Sequence, residues 1–439
     1  MDGAARKTWI DGVRPYVERG PIAVFLMGIS SGLAFTMIGA TLTTRLKQDG
    51  LDKSTITAFA LGFLVYNLKP LWAWMVDGIR LPVLGKLGQR VSWILLAGAM
   101  VIAAVANLAL VDPATNLSGT VVAAILVGFA GATYDIVIDA YRIETLSPEE
   151  QGAGLAAYIW GYRIALLAAN AGALFIVGFA GWPAAFIVMA ILIGVGIVTC
   201  LVMKEPDIPA RPASGRHGIA AALEWIRSAV VGPLIDFTRR DAWVVLLAFV
   251  ALFKLGEALA GIMTAPFYRS LGFSREEVAA ISSVFGLFAT LGGAAIGGLV
   301  VHRFGVFRSL IGTGLLQMLS NLMYVALAHA GHDIGMLWLQ VGIENFTDGL
   351  ADAAFVAYLS SLCNVAFTAT QYALLSSLAA LPLRTLGASS GYLAEAMGWP
   401  PFFLLTTAAA LPALCLAVWL MRRFPVGAAA PRPAAVASD

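Results

Sequence analysis

The sequence predicts an all-α integral membrane protein of twelve spanning helices arranged as two parallel six-helix repeats. Three observations carry that prediction. Of the 439 residues, 59% are hydrophobic and only 12% charged, a balance far from that of soluble chains. Apolar runs long enough to cross the hydrocarbon as helices recur twelve times, at 21–45, 56–76, 91–111, 119–141, 152–180, 183–203, 242–268, 276–300, 306–328, 335–361, 367–393 and 399–421. Finally, a shift of 217 residues lays parts of the first half on the second.

Taken in order, residues 1–20 form a short N-terminal segment. Its Arg6, Lys7, Arg14 and Arg19 accompany neither an apolar core nor a small-residue cleavage site, so it reads as no signal peptide, and insertion falls to the first helix. Residues 21–203 hold the first six runs. The second of them carries Tyr66, Lys69, Trp72 and Trp74; the fifth carries Trp160, Tyr162 and Arg163. The fourth ends in GATYDIVIDAYRIETL, where Asp135 and Asp139 are one turn apart, about 24 and 30 Å from the outer start of the helix. Residues 204–241 are the longest polar connection, opened by Pro206, Pro209 and Pro212; GIAAALEWIRSAVVGPLIDF within it suits an amphipathic helix on the inner surface or a plain linker helix. The second six runs fill 242–421, and 422–439 form a tail.

With the N-terminus inside, the inner segments hold 19 of the 28 basic residues and the outer loops five, Arg45, Lys47, Lys53, Arg269 and Arg275. The positive-inside rule therefore places both termini in the cytoplasm. Net charge is +2 and comes mostly from these anchors, so no nucleic-acid partner is expected.

The shift of 217 places GWPAAF (181–186) on GWPPFF (398–403), KLGQR (86–90) on RFGVF (303–307), and Asp135 on Asp352. Parallel six-helix repeats related by an axis along the membrane normal are the plan of the major facilitator fold, whose substrate site lies between the halves near the midplane.

An ionisable group in hydrocarbon costs about 2.5 to 3.5 kcal/mol on insertion scales, so each one marks a candidate site. Arg163, Lys254, Glu257 and Glu344 fall near the midplane, Arg384 slightly further out, and Lys69 nearer the cytoplasm. Lys254 and Glu257, three apart in FKLGEALAG, make either a local ion pair or a carboxyl whose protonation couples to transport. Glu344, in VGIENFTDGLADAAF, has no basic neighbour on its own helix and needs a partner from elsewhere or a proton. Asp348 joins Glu257 and Glu344 as a candidate for proton coupling. Arg163 and Arg384 lie on corresponding helices of the two halves and either hold an anionic substrate or satisfy interior acids such as Glu344 and Asp348. Trp160, Tyr162, Tyr66 and Trp72 suit sugar rings, and equally suit helix packing. Glycine runs such as LGGAAIGGL read as close helix contacts.

Asp135 and Asp139 read as an inner charge latch with Lys86 and Arg90, and Asp352 as its counterpart opposite Arg303 and Arg308. The three cysteines, Cys200, Cys363 and Cys415, lack metal-ligand spacing and read as small core residues. No metal or cofactor is expected. A membrane enzyme is disfavoured because the four histidines lie in loops or at helix ends, with no nucleophile and base at helical spacing. A sensor would need an added soluble domain.

The stretches KPLWAWMVDGIRLPVLGKLGQRVSW (69–93), DIVIDAYRIETLSPEEQGAG (135–154), GYR (161–163), FKLGEALAG (253–261) and ENFTDGLADAAFVAYLSSLCNVAFTATQYALLSSL (344–378) closely resemble the AmpG-type muropeptide permeases, in order and through nearly all twelve helices. The resemblance implies a bacterial inner-membrane permease that brings GlcNAc-1,6-anhydroMurNAc and its peptides into the cytoplasm, driven by the proton gradient, for cell-wall recycling and with a bearing on β-lactamase induction. The expected partners are anhydromuropeptides, protons and the lipid bilayer, with a monomer as the working unit. The family pattern carries over at Lys69, Trp72, Asp77, Asp135, Asp139, Arg163, Lys254, Glu344 and Gln371; Gln371 is thereby expected at the substrate and Asp77 at the gate. It departs at Trp74 and Gly78, where the family has proline and arginine. The alternative within transport is a facilitator-fold permease for another acidic solute, such as an acyl-coenzyme A or a saccharide.

Overall fold

A computed structural model describes residues 12–59, 62–147, 149–206 and 229–424. The first part of the expected amphipathic linker helix, up to 228, lies outside the described residues, as do 1–11 and the tail from 425. Spanning helix α1 is Arg19–Gln48 and α2 is described as Lys53–Phe59, Gly62–Leu68 and Pro70–Gly78. Next come α3 (Gln89–Leu110) and α4 (Leu117–Thr145). Helices α5 and α6 share the stretch Gln151–Met203, divided at Gly181 where φ is 77° and ψ 173°.

In the second half, α7 is Trp243–Ser270, α8 is Arg275–Phe304, α9 is Val306–Ala330 and α10 is Ile334–Ser361. The last two are α11, built from Thr368–Thr385 and Ser390–Met397, and α12, Trp399–Arg423. Among the described residues nine stretches are long and apolar enough to cross a membrane. Dividing one of them at Gly181 and adding α2 and α10 completes the expected twelve.

Helix starts have local causes. The Asn116 side chain accepts from Gly119 N at 2.8 Å to open α4, and Asp333 accepts from Met336 N at 2.9 Å to open α10. Ser274 and Glu277 form a capping box at α8. Each cap satisfies donors the helix cannot pair itself, contributing about 0.5 to 2 kcal/mol. The start of α3 is capped from a distance: Glu205 accepts from Arg90 N and Val91 N at 2.9 Å.

The repeat is written into the backbone. Gly88 (φ 113°, ψ 164°) and Gly305 (φ 78°, ψ 166°) correspond under the shift of 217, as do Gly181 and Gly398 (φ 76°, ψ 168°). Positive φ at these turns is the region glycine adopts without strain. The π turn Ala168–Gly172 in α5 also falls on the 3-10 turn Leu386–Ser389 in α11.

Each half has its own apolar core. Val105, Ile138, Phe186 and Ile193 lie in the first, and Phe249, Phe355 and Tyr358 in the second. The LGGAAIGGL run sits where α8 crosses α10: a Cβ on Gly293 would stand 2.0 Å from the Phe346 carbonyl oxygen, so only glycine lets the backbones approach this closely. One irregularity positions the site. Helix α7 breaks at Lys254 (φ −95°, ψ 12°), between Trp243–Leu252 and Leu255–Ser270, which puts a cation at an interruption inside a spanning helix.

Candidate functional site

At about 1.5 Å per residue, Arg163 lies about 18 Å into α5, Lys254 about 17 Å into α7, and Glu344 about 15 Å into α10, so all three lie well inside their helices. The structure connects two of them through acids. Arg163, from the first bundle, reaches across to α10 of the second, with Nη2 3.5 Å from Asp348 and 3.8 Å from Asp352. Lys254 Nζ is 2.8 Å from Glu257 and 3.5 Å from Asp348, and it also pairs with Asp352. Gln317 of α9 donates to Glu257 at 3.1 Å and to Asp348 at 3.2 Å. Asp348 and Asp352 stand one turn apart on one face of α10, which is why a single arginine and a single lysine meet both.

Glu344, one turn nearer the start of α10, takes a neutral donor instead. Gln340 Nε2 donates to it at 2.8 Å. Tyr268 Oη in turn donates to Gln340 Oε1 at 2.6 Å, so the carboxyl ends a chain of polar groups leading toward the end of α7 and the start of α10. Among the described residues, two cations, Arg163 and Lys254, face four carboxyls, Glu257, Glu344, Asp348 and Asp352. Fully ionised, those six groups carry a net charge of two negatives, so the described acids outnumber the described cations.

The two bundles are tied together at the end where both described termini lie, called the basal end. Asp77 of α2 accepts from Thr370 N at 2.8 Å, Thr370 Oγ1 at 2.6 Å and Ala369 N at 3.2 Å, holding the start of α11. Arg90 binds Asp77 at 2.8 Å and grips Glu144 of α4 at 2.6 and 2.8 Å. Tyr16 Oη donates to the Ala295 carbonyl of α8 at 2.8 Å. Gly152 and Gly298 meet so closely that a Cβ on either would stand 2.5 Å from the other's carbonyl oxygen. A cavity of about 580 Å³ lies at this seam, bordered by Gln151, His302, Arg303 and Ser360.

Several placements differ from the sequence expectation. Asp135 and Asp139 do not pair with Lys86 and Arg90: Lys69 takes them at 2.7 and 3.8 Å, because α2 and α4 are neighbours and Lys69 is the cation at their depth. Arg90 spends its charge on Asp77 and Glu144, and Lys86 is exposed. Asp352 joins the central cluster and not Arg303 or Arg308; the Arg303 guanidinium lies 5.7 Å from the Phe304 ring, and Arg308 is exposed. Gln371 does not join the Arg163 and Lys254 cluster either. It lies in the first turn of α11, where it accepts from Asn364 N at 2.7 Å and donates to Asp236 at 2.7 Å and to the Pro233 carbonyl at 3.1 Å, tying the short linker helix Gly232–Thr238 to α11.

The aromatics divide. Trp160 donates to the Leu291 carbonyl of α8 at 2.7 Å and Trp72 to Thr133 at 3.0 Å, so both indoles serve helix contacts. Tyr66 is buried edge-on against Phe35, ring centroids 5.1 Å apart, while Tyr162, 6.1 Å from Phe35, stays part-exposed beside Arg163. The Arg384 side chain lies outside the described residues. Gln317 and Glu144 were missed in the sequence; nothing in their local spacing marks them, although Glu144 stands within the quoted acidic stretch.

Residues 22–383 match the family model described as Major Facilitator Superfamily. A relative named putative transporter AmpG 4, from Rickettsia conorii, is 37% identical over 90% of this chain and 95% of its own length. The anhydromuropeptide permease of Escherichia coli K12 is 35% identical over 90% of this chain and 78% of its own. Among solved structures, the human organic anion transporter MFSD10 superposes with a TM-score of 0.67 at 14% identity, covering 91% of this chain and 99% of that one. The proton:xylose symporter XylE superposes with a TM-score of 0.65 at 13% identity, covering 93% and 96%. At those identities the likeness concerns the fold.

Proposed function

This chain belongs to the major facilitator superfamily, among the AmpG transporters, and from that premise we propose that it is a proton-coupled permease importing anhydromuropeptides across a bacterial inner membrane, with both termini cytoplasmic. The observation that carries the mechanism is the pairing of Arg163 in one bundle with Asp348 and Asp352 in the other. With the acids ionised, Arg163 is occupied and the site repels a carboxylate. Protons entering from the periplasm neutralise part of the acid set, and Arg163 and Lys254 turn to the carboxylates of the substrate. Arginine suits that exchange because its charge persists and its planar fork matches a carboxylate. Proton and substrate thus enter together, since each lowers the cost of the other.

Closure around the loaded site and opening at the basal end then release both to the cytoplasm. Loss of the protons restores the acids' hold on Arg163 and expels the substrate carboxylate. Membrane vesicles tested with labelled GlcNAc-anhydroMurNAc should accumulate it under an acid-outside gradient and lose that accumulation when a protonophore is added. Absence of uptake under the gradient sinks the proposal; uptake displaced more strongly by an unrelated acidic solute reassigns the substrate.

A further inference from the structure

The transport cycle above leaves a second charged cluster unused. It lies inside the first bundle, where Lys69 of α2 shares its ammonium between two acids of α4, Asp135 at 2.7 Å and Asp139 at 3.8 Å. Asp139 also holds Arg142 at 3.5 Å. Arg142, 1% exposed, is the member that crosses the basal seam: its Nη1 donates to Ser360 of α10 at 3.4 Å, and its guanidinium lies 5.3 Å from the Tyr372 ring on α11. Among the described residues of this cluster, two cations meet two carboxylates. Because Lys69 has two acceptors, the same charges admit a second arrangement. Asp135 is the more accessible acid, its side chain 16% exposed against 7% for Asp139, and Ser31 Oγ donates to its Oδ1 at 2.8 Å.

We propose that Lys69 couples proton entry to the basal latch: a proton arriving on Asp135 shifts the Lys69 ammonium to Asp139, and Asp139 thereby loosens its hold on Arg142. The proton binds one Asp135 oxygen and no other covalent bond changes. A neutral carboxyl keeps its Ser31 hydrogen bond but no longer competes with a carboxylate for an ammonium. Asp139 then has a close cation, and its Arg142 contact, already long at 3.5 Å, weakens first. What remains of Arg142 at the seam is the 3.4 Å bond to Ser360 and the Tyr372 ring, beside the 580 Å³ cavity that Ser360 borders.

The titratable groups facing Asp135 are Lys69 and Tyr66 from α2, Asp139 and Arg142 from α4, Tyr158 and Tyr162 from α5, and Tyr372 from α11. Phenols titrate near pH 10, outside a window of pH 5 to 8. The inference rests on the proposed inward proton movement only for the direction of travel.

Spin labels at Glu149→Cys and Arg308→Cys, both exposed at the basal end of opposite bundles, report the seam once Cys200, Cys363 and Cys415 are replaced. No muropeptide is added, so failure here is separate from failure of uptake. The long-distance fraction should grow as pH falls from 8 to 5. Asp135→Asn should already show it at pH 8, at least fivefold above the unsubstituted protein, and Lys69→Met should abolish the pH response while Lys69→Arg restores it. Ser31→Ala, a mild change, should move the midpoint of the response to higher pH. An Asp135→Asn distribution unchanged at pH 8, a surviving pH response in Lys69→Met, or an unmoved midpoint in Ser31→Ala would each overturn the assignment.

Discussion

Replacing Arg163 with alanine separates a substrate-binding arginine from one that only satisfies interior acids. The pair with Asp348, at 3.5 Å, would be worth about 4.7 kcal/mol at an effective dielectric of about 20. Water reaches it, since 36% of the Arg163 side chain is exposed, and screening brings the figure down to about 1 kcal/mol or less. A substrate carboxylate taking the place of those acids makes a charge-assisted contact of about 1.5 to 3 kcal/mol. The variant should therefore bind an acidic muropeptide about 10 to 150-fold more weakly. Unshielded Asp348 and Asp352 repel the same ligand, so the lower figure is a floor. An analogue with its carboxylates amidated should change by less than about threefold, because it makes no charged contact to lose. Competition binding to purified protein at one fixed pH measures both. Equal losses for the acidic and amidated ligands would show that Arg163 only holds the site together and would refute the reasoning.

Glu344→Gln and Glu257→Gln should each break the link between uptake and the pH gradient while exchange of substrate across the membrane persists; vesicle accumulation compared with counterflow measures the split. Gly298→Val should prevent the basal seam from closing, since even a Cβ there would stand 2.5 Å from the Gly152 carbonyl oxygen; labelling of an introduced cysteine beside the seam should rise severalfold, and unchanged labelling would count against tight closure. Gln371→Leu strips hydrogen bonds from Asn364, Asp236 and Pro233; Asp236 keeps Asn364 and Arg240, while the buried Pro233 carbonyl loses its Gln371 donor, a cost of about 1 to 3 kcal/mol. Its melting midpoint should fall with muropeptide affinity retained, whereas a direct ligand would lose affinity first.

The spanning helices could be read from the sequence because the decision to enter hydrocarbon is local: twenty apolar residues satisfy their own backbone whatever surrounds them. The duplicated halves were readable for a similar reason, since GWPAAF and GWPPFF impose the same positive-φ turn at Gly181 and Gly398. Depth, too, is estimated by counting residues along a helix. Partnership does not follow from counting. Asp352 looked like a gate residue because its repeat mate Asp135 did, yet the two find different cations, Lys254 with Arg163 in one case and Lys69 in the other. A charge in a low-dielectric interior is neutralised by whichever opposite charge the neighbouring helices bring within about 4 Å. Which helix is the neighbour depends on how twelve cylinders pack in three dimensions, and hydropathy along one strand of sequence carries no term for that. The sequence by itself determined how many helices cross and which charges enter the membrane; the tertiary structure alone decided which of those charges meet.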